Sequence, residues 1–203
     1  MKKIVIINSH RYSGSTLLYQ AMCNHSLIQG YDEKRTYFTT FDLLEFNRFS
    51  HKIKAKSAIY LREILSNQYL STKMDYSKVF FIHIIRRPID TLNFLISEEK
   101  MSPSFALRHY CFRLRRICEI AKRTSNSILF TYEDLKKPEP LCLLESILGL
   151  KTKIDFLPSS LRTIEKEWKN NLISFEGIKS AEDCYERHFY YLSQLKNVKK
   201  LID

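Results

Sequence analysis

Three short apolar runs punctuate the chain, each ending abruptly in polar or charged positions. Ile4-Val5-Ile6-Ile7 closes at Asn8, Lys78 to Ile85 (KVFFIHII) ends at Arg86-Arg87-Pro88, and Ser127 to Thr131 (SILFT) runs into Tyr132-Glu133-Asp134-Leu135. Continuous apolar runs of this length predict strands covered on both faces. Between them the apolar positions recur at helical spacing, over Ser15 to Asn24, Phe41 to Phe49, Ala58 to Tyr69 and Phe105 to Arg123. Pro88 is placed to open a further helix through Asp90, Leu92 and Leu95. Beyond Leu150, Ser159 to Asn170 and Ala181 to Leu195 read as helices rich in charge and tyrosine. Strands alternating with helices predict an α/β fold: a three-layer sandwich with a mostly parallel central sheet and helices on both faces.

Composition narrows this picture. With 203 residues, 44% hydrophobic and 13% aromatic, and no linker-like stretch, the chain reads as one domain over 1–203, with 151–203 its helical C-terminal portion. Five cysteines without a CxxC pair, mostly inside helical patterns, predict buried thiols in a reducing cytoplasm. Met1-Lys2-Lys3 is followed by only four apolar residues, too few for a secretion signal, and no run is long enough to span a bilayer. A net charge of +11 favours anionic partners. No zinc-ligand spacing, RNP-like stretch or helix-turn-helix supports a nucleic-acid partner.

In a parallel sheet ligands bind beyond the carboxyl ends of the strands, so the segments after the three runs are the candidate site. The first, Asn8-Ser9-His10-Arg11-Tyr12-Ser13-Gly14-Ser15-Thr16-Leu17, offers helix amino-terminal amides and the hydroxyls of Ser13, Ser15 and Thr16 to an anion. Gly14, one of only four glycines, lets the backbone approach it closely. An ordinary capped turn would look the same, and GxxxxGK[ST] is absent. The second segment, Arg86-Arg87-Pro88-Ile89-Asp90, supplies guanidinium forks suited to phosphate. The third, around Tyr132-Glu133-Asp134, also reads as a helix start with acidic residues facing the dipole.

Together these segments resemble the sulfotransferases that use 3′-phosphoadenosine 5′-phosphosulfate (PAPS). SGSTLL resembles their 5′-phosphosulfate loop, FFIHIIRRPID their 3′-phosphate strand and loop, and ILFTYEDLKKPEPLCLLESILGL their later strand, turn and helix. The stretch NHSLIQGYDEKR is similar to a segment of tyrosylprotein sulfotransferases in which an acidic pair precedes x-Arg. The resemblance implies a fold of the P-loop nucleotide-binding type and transfer of the sulfuryl group from PAPS to an acceptor hydroxyl of a carbohydrate, peptide tyrosine or small molecule. PAP would be the product, and no metal would be required. It implies Glu33 as the base, Arg35 as a charged partner, and Lys56, ahead of a helix, or Arg11 as basic support, with His51 and His10 as rival bases. It places the nucleotide on Arg11, Tyr12, Ser13, Gly14, Ser15, Thr16, Leu17, Arg86, Asn93 and Tyr132.

Three positions depart from the pattern: Tyr12 stands where the family has a basic residue, Phe94 where it has a phosphate-binding serine, and Ala55 where glutamate often precedes the lysine. Asn93 or Ser97 would then have to substitute at the 3′-phosphate. The departures leave two other readings open: a catalytically reduced binding protein for nucleotides or polyanions, and a divergent nucleotide kinase. The solvated turn that DEKR forms in many proteins equally explains Glu33.

Overall fold

A computed structural model of the chain describes residues 3–30, 40–41, 59–64, 69–70, 79–155 and 175–199. Strand β1 (Lys3–Ser9) lies near the middle of a six-stranded sheet, bonded on one side to β4 (Ile59–Ile64) and on the other to β6 (Val79–Ile85). Beyond β4 lies β2 (Ile28–Gly30); beyond β6 lie β7 (Ser127–Thr131) and β8 (Val198–Lys199), giving the order β2-β4-β1-β6-β7-β8. Every pairing is parallel. β3 (Thr40–Phe41) and β5 (Tyr69–Leu70) form a separate parallel pair.

Side chains alternate between two cores. Val5, Ile7, Phe80, Ile82, Ile84, Ile128 and Phe130 face one side, where α1 (Ser15–Cys23) contributes Leu18 and Met22 and α4 (Pro138–Leu148) contributes Leu141, Leu144 and Leu148. On the other side Ile85 and Leu129 meet α2 (Pro88–Ser97), α3 (Pro103–Arg123) and α5 (Phe175–Gln194). The result is the expected α/β sandwich. Each fully buried Ile or Leu contributes about 2 kcal/mol by leaving water. Proline sits in the first turn of α2, α3 and α4, where its missing N–H costs no helical bond. Gly149 ends α4 in the left-handed region, and Lys3 Nζ donates to the carbonyls of Ile147 and Leu148 at 3.2 and 3.1 Å. Among the described residues no helix is long and apolar enough to cross a membrane.

One expected helix is a strand. Ala58 to Tyr69 contains β4 and the start of β5. A short segment such as IYLREI satisfies a helical and an extended pattern about equally, and hydrogen bonding to neighbours on both edges, β1 and β2, decides for the strand. Lys56 therefore precedes a strand and not a helix. Of Phe41 to Phe49, Phe41 belongs to β3 and the rest lies outside the described residues, as does Ser159 to Asn170. The last helix includes most of Ala181 to Leu195 but begins earlier, at Phe175. The short strands β2 and β8 carry too few residues to register as periodic patterns.

Two of the polar side chains sealed inside the sheet bond to each other. Asn8 and His83, paired neighbours on β1 and β6, are both fully buried and share a hydrogen bond of 3.2 Å between Asn8 Nδ2 and His83 Nδ1. The His83 ring stacks on Phe81 with centroids 5.8 Å apart. Burial pushes the His83 imidazole from its ordinary 6.5 down to about 3, so it is neutral in the folded chain. His10 is likewise held down, to about 3, by burial and then by the charges of Arg113 and Arg86, against an opposing hydrogen bond with the Arg11 carbonyl. The unfolded chain takes up protons at both sites below pH 6.5 while the folded chain does not. Stability should therefore fall as pH drops from 6.5 towards 3, each histidine adding a slope of about 1.4 kcal/mol per pH unit. Urea unfolding at a series of pH values measures this slope; His83→Leu should lower it by one histidine's share, and an unchanged slope would show that His83 is charged or exposed in the fold.

Candidate functional site

The topology creates a crevice between β1 and β6. After β1 the chain enters α1 on one face of the sheet, and after β6 it enters α2 on the other. The two following segments diverge over adjacent carboxyl ends, which is the switch point where open parallel sheets bind ligands.

The β1–α1 segment, His10 to Gly14, is a tight turn. Gly14, at φ 84°, and Tyr12, at φ 61°, are both left-handed. For tyrosine this costs about 1 kcal/mol, so the conformation must be held from outside. Among the described residues no side chain caps the start of α1. Ser13 is fully buried beside that helix start, and among the described residues its hydroxyl has no hydrogen-bond partner. A buried hydroxyl without a partner costs about 1–3 kcal/mol, and an anion at the helix start would relieve it. Ser15 is buried and Thr16 exposed at the first turn, while the Leu17 side chain packs against the core, so Leu17 can offer an anion only its backbone.

Arg86 follows β6 directly and is 1% exposed, the largest fully buried side chain described. Its Nη1 donates to the Tyr12 carbonyl at 3.0 Å, bracing the strained turn. Its guanidinium carbon lies 3.8 Å from the centre of the Tyr132 ring, and Nε is 3.4 Å from Asp90 Oδ2. The Arg86 backbone is fixed as well: its N–H donates to His10 Nε2 at 2.8 Å, and its carbonyl accepts the Tyr110 hydroxyl at 2.6 Å. Since His10 Nδ1 lies 2.9 Å from the Arg11 carbonyl, the ring carries its proton on Nδ1 and accepts through Nε2. Both ring nitrogens are thereby committed, which leaves His10 no lone pair for an acceptor proton. From α3, Arg113, 3% exposed, donates through Nη2 to the Ser9 carbonyl at 2.5 Å.

At the rim, Tyr12 and Phe94, the two departing positions, are partners: their rings stack with centroids 4.5 Å apart and planes 14° apart. The Tyr12 hydroxyl donates to Glu99 Oε1 at 2.8 Å, and Arg11 Nη1 pairs with Glu99 Oε2. The Tyr12 hydroxyl and Arg11 hold the Glu99 carboxyl below its usual range, and burial together with Glu99 pushes Tyr12 up to about 12. Glu99 is presented by the turn after α2, where Lys100 is left-handed at φ 56° and Met101 N–H bonds back to the Leu95 carbonyl at 3.0 Å.

The segment after β7 is closed by reciprocal bonds. Thr131 N–H donates to Asp134 Oδ2 at 2.7 Å, and Asp134 N–H to Thr131 Oγ1 at 3.2 Å. A short 3-10 turn, Asp134–Lys136, follows, so Asp134 closes the turn and Tyr132, 1% exposed, turns its ring under Arg86.

The structure thus brings Arg11, Tyr12, Ser13, Gly14, Ser15, Thr16, Leu17, Arg86 and Tyr132 to one crevice. Asn93 is buried on α2. Glu33, Arg35, His51 and Lys56 lie outside the described residues. Among the described residues no group of three His, Cys, Asp or Glu side chains could hold a metal ion. Sequence reasoning missed Tyr110, Arg113 and Glu99. The signal for Arg113 was present: a charge on the stripe formed by Ala106, Tyr110, Leu114, Ile117 and Ala121 must be buried, and therefore paired. Glu99 gave no such sign.

No protein-family model matches the chain, and no curated protein matches it. Among solved structures, the chain is similar to mouse sulfotransferase SULT7A1 complexed with PAP, at 12% identity and a TM-score of 0.42, over 97% of this chain and 86% of that one.

Proposed function

We propose that this protein binds PAPS in the β1–β6 crevice and transfers its sulfuryl group to an acceptor hydroxyl. The observation that carries the proposal is the direct bond between the two candidate anion-binding elements: the buried Arg86 guanidinium holds the carbonyl of Tyr12 next to the Ser13 hydroxyl, which has no partner among the described residues, at the start of α1. An adenosine bisphosphate carries two phosphate groups on one nucleoside, and a helix-start cradle beside a buried arginine supplies two separate anion contacts. Support also comes from the motif order, since the SGSTLL, RRPID and YEDL segments follow the adjacent strands β1, β6 and β7.

The donor supplies an activated sulfur whose bond to the 5′-phosphate oxygen breaks as the acceptor oxygen attaches. Ser13, Ser15, Thr16 and the α1 amides would hold the phosphate and steady its developing charge. Arg86 would hold the 3′-phosphate, and Asn93, buried on α2, would stand in for the serine of the pattern. Glu33 would take the acceptor proton, and Lys56 would support the sulfonyl oxygens. The acceptor class stays at hydroxyl compounds: carbohydrate, peptide tyrosine or small molecule.

A second reading, nucleotide binding without transfer, is favoured by one observation. The position before Ser13 carries Tyr12 in place of a basic side chain, and Arg11, the adjacent cation, is paired with Glu99. Turnover assays separate the two readings.

Calorimetry should show binding of 3′-phosphoadenosine 5′-phosphate in preference to ATP and AMP; equal or better binding of ATP would overturn the donor assignment and favour a kinase. Ser13→Ala should weaken the bisphosphate about tenfold, the loss of one charge-assisted hydrogen bond worth about 1.5 kcal/mol. Glu33→Gln should abolish sulfuryl transfer and leave the bisphosphate affinity unchanged; persistent turnover would remove Glu33 as the base. Glu99→Gln keeps an acceptor for Tyr12 but removes the negative charge beside Arg11, so the bisphosphate should bind about threefold to tenfold more tightly, with a steeper salt dependence. Unchanged affinity and salt slope would place Arg11 out of reach of the anion.

A further inference from the structure

Away from the crevice, α3 and α5 pack together, and three of the five cysteines lie along this seam: Cys111 and Cys118 on α3, and Cys184 on α5. They differ in surroundings. Cys118 is buried, with Sγ 3.8 Å from the His188 carbonyl, and burial pushes its thiol up to about 12. Cys111 and Cys184 are both half-buried and pack against the same apolar cluster from the two helices of the seam, and each acts on the other's titration as a hydrogen-bonding thiol.

Cys184 has further partners. His188, one turn later on α5, places Nδ1 3.6 Å from Cys184 Sγ and 2.7 Å from the Cys184 carbonyl. Arg187 adds a positive charge beside it. The Cys111 hydrogen bond, with His188 and Arg187, pulls the Cys184 thiol down to about 6 against the effect of burial. The same bond, with burial, pushes Cys111 upward. One sulfur of the pair is thus prepared as a nucleophile and the other as its hydrogen-bond donor. Among the described residues no third ligand stands near enough to make the pair a metal site.

We propose that Cys111 and Cys184 are a redox-responsive dithiol that closes to a disulfide between α3 and α5 when it meets a low-molecular-weight disulfide such as oxidised glutathione. Cys184 thiolate attacks one glutathione sulfur, the glutathione S–S bond breaks, and the first glutathione leaves with the proton that Cys184 gave up. Cys111 then attacks Cys184 Sγ, the mixed disulfide breaks, and the second glutathione leaves with the Cys111 proton. The two cysteines are oxidised and one glutathione disulfide is reduced to two thiols.

The seam adjoins the nucleotide crevice. Tyr110, next to Cys111, donates to the Arg86 carbonyl, and Tyr185, next to Cys184, lies within electrostatic reach of Glu133 and Arg87. A bond between Cys111 and Cys184 therefore ties together the two helices that back the site.

The test is to incubate the full chain with oxidised glutathione near neutral pH and map the products by peptide mass spectrometry. The expected product is a linked Cys111–Cys184 peptide, reversed by reductant, with exposed Cys142 carrying glutathione as a stable adduct. Cys111→Ser should stall glutathione on Cys184, and Cys184→Ser should remove the cross-link, with thermal melting used to confirm that both variants fold. If a variant does not fold, the wild-type map alone decides. Glutathione remaining on Cys184 in the wild type, or a reduced Cys184 while Cys142 is modified, would overturn the proposal.

Discussion

The crevice depends on one buried charge. A guanidinium that is 1% exposed has lost nearly all its hydration, an effective cost of several kcal/mol that only close partners can offset. Arg86 has a carbonyl at 3.0 Å, an aromatic face at 3.8 Å and a carboxylate at 3.4 Å whose own side chain is 34% exposed. Each partner comes from a different segment: Tyr12 from the β1–α1 turn, Tyr132 from the end of β7, and Asp90 from the first turn of α2. Satisfying Arg86 therefore fixes the relative positions of three loops that the sheet alone would only bring near one another. His10 and Tyr110 complete the arrangement by occupying the Arg86 backbone N–H and carbonyl.

This explains how a tyrosine tolerates a left-handed backbone at Tyr12. Its carbonyl is held by Arg86, its ring by Phe94 and its hydroxyl by Glu99, three contacts against a strain of about 1 kcal/mol. Tyr12 and Phe94, which read separately as two departures from the sulfotransferase pattern, are one stacked unit. Far apart in sequence, each looked like the loss of a polar contact. In the fold they exchange two polar positions for one apolar contact that closes the rim, so neither substitution can be interpreted without the other.

The three central strands and the loops after them were legible because uninterrupted apolar runs have few alternatives to a doubly covered strand. β4 was not, because the pattern over Ala58 to Tyr69 satisfies two periods and only the sheet neighbours choose between them. Ser13, Gly14 and Arg86 could be named as candidates from residue type and position at strand ends. The roles of His10 and Arg113 were not, since each depends on a backbone carbonyl or amide from a distant segment, and backbone partners leave no trace in side-chain identity. Glu99 was invisible for a related reason: its reach to Tyr12 and Arg11 follows from the left-handed turn at Lys100, where the residue type gives no warning.

Two of the arginines around the crevice, Arg86 and Arg11, are of unlike character. Arg86 is buried and braces the fold through fixed contacts, so its geometry cannot change without loosening the β1–α1 turn. Arg11 and Glu99 are 34% and 31% exposed, and an ion pair that open to water is worth about 0–1 kcal/mol. At the proposed site an anion with more charge than Glu99 competes with it for Arg11, while a singly charged anion gains little by doing so. In the proposed reading, the Glu99 charge beside Arg11 makes the help that Arg11 gives a bound anion depend on the charge of that anion.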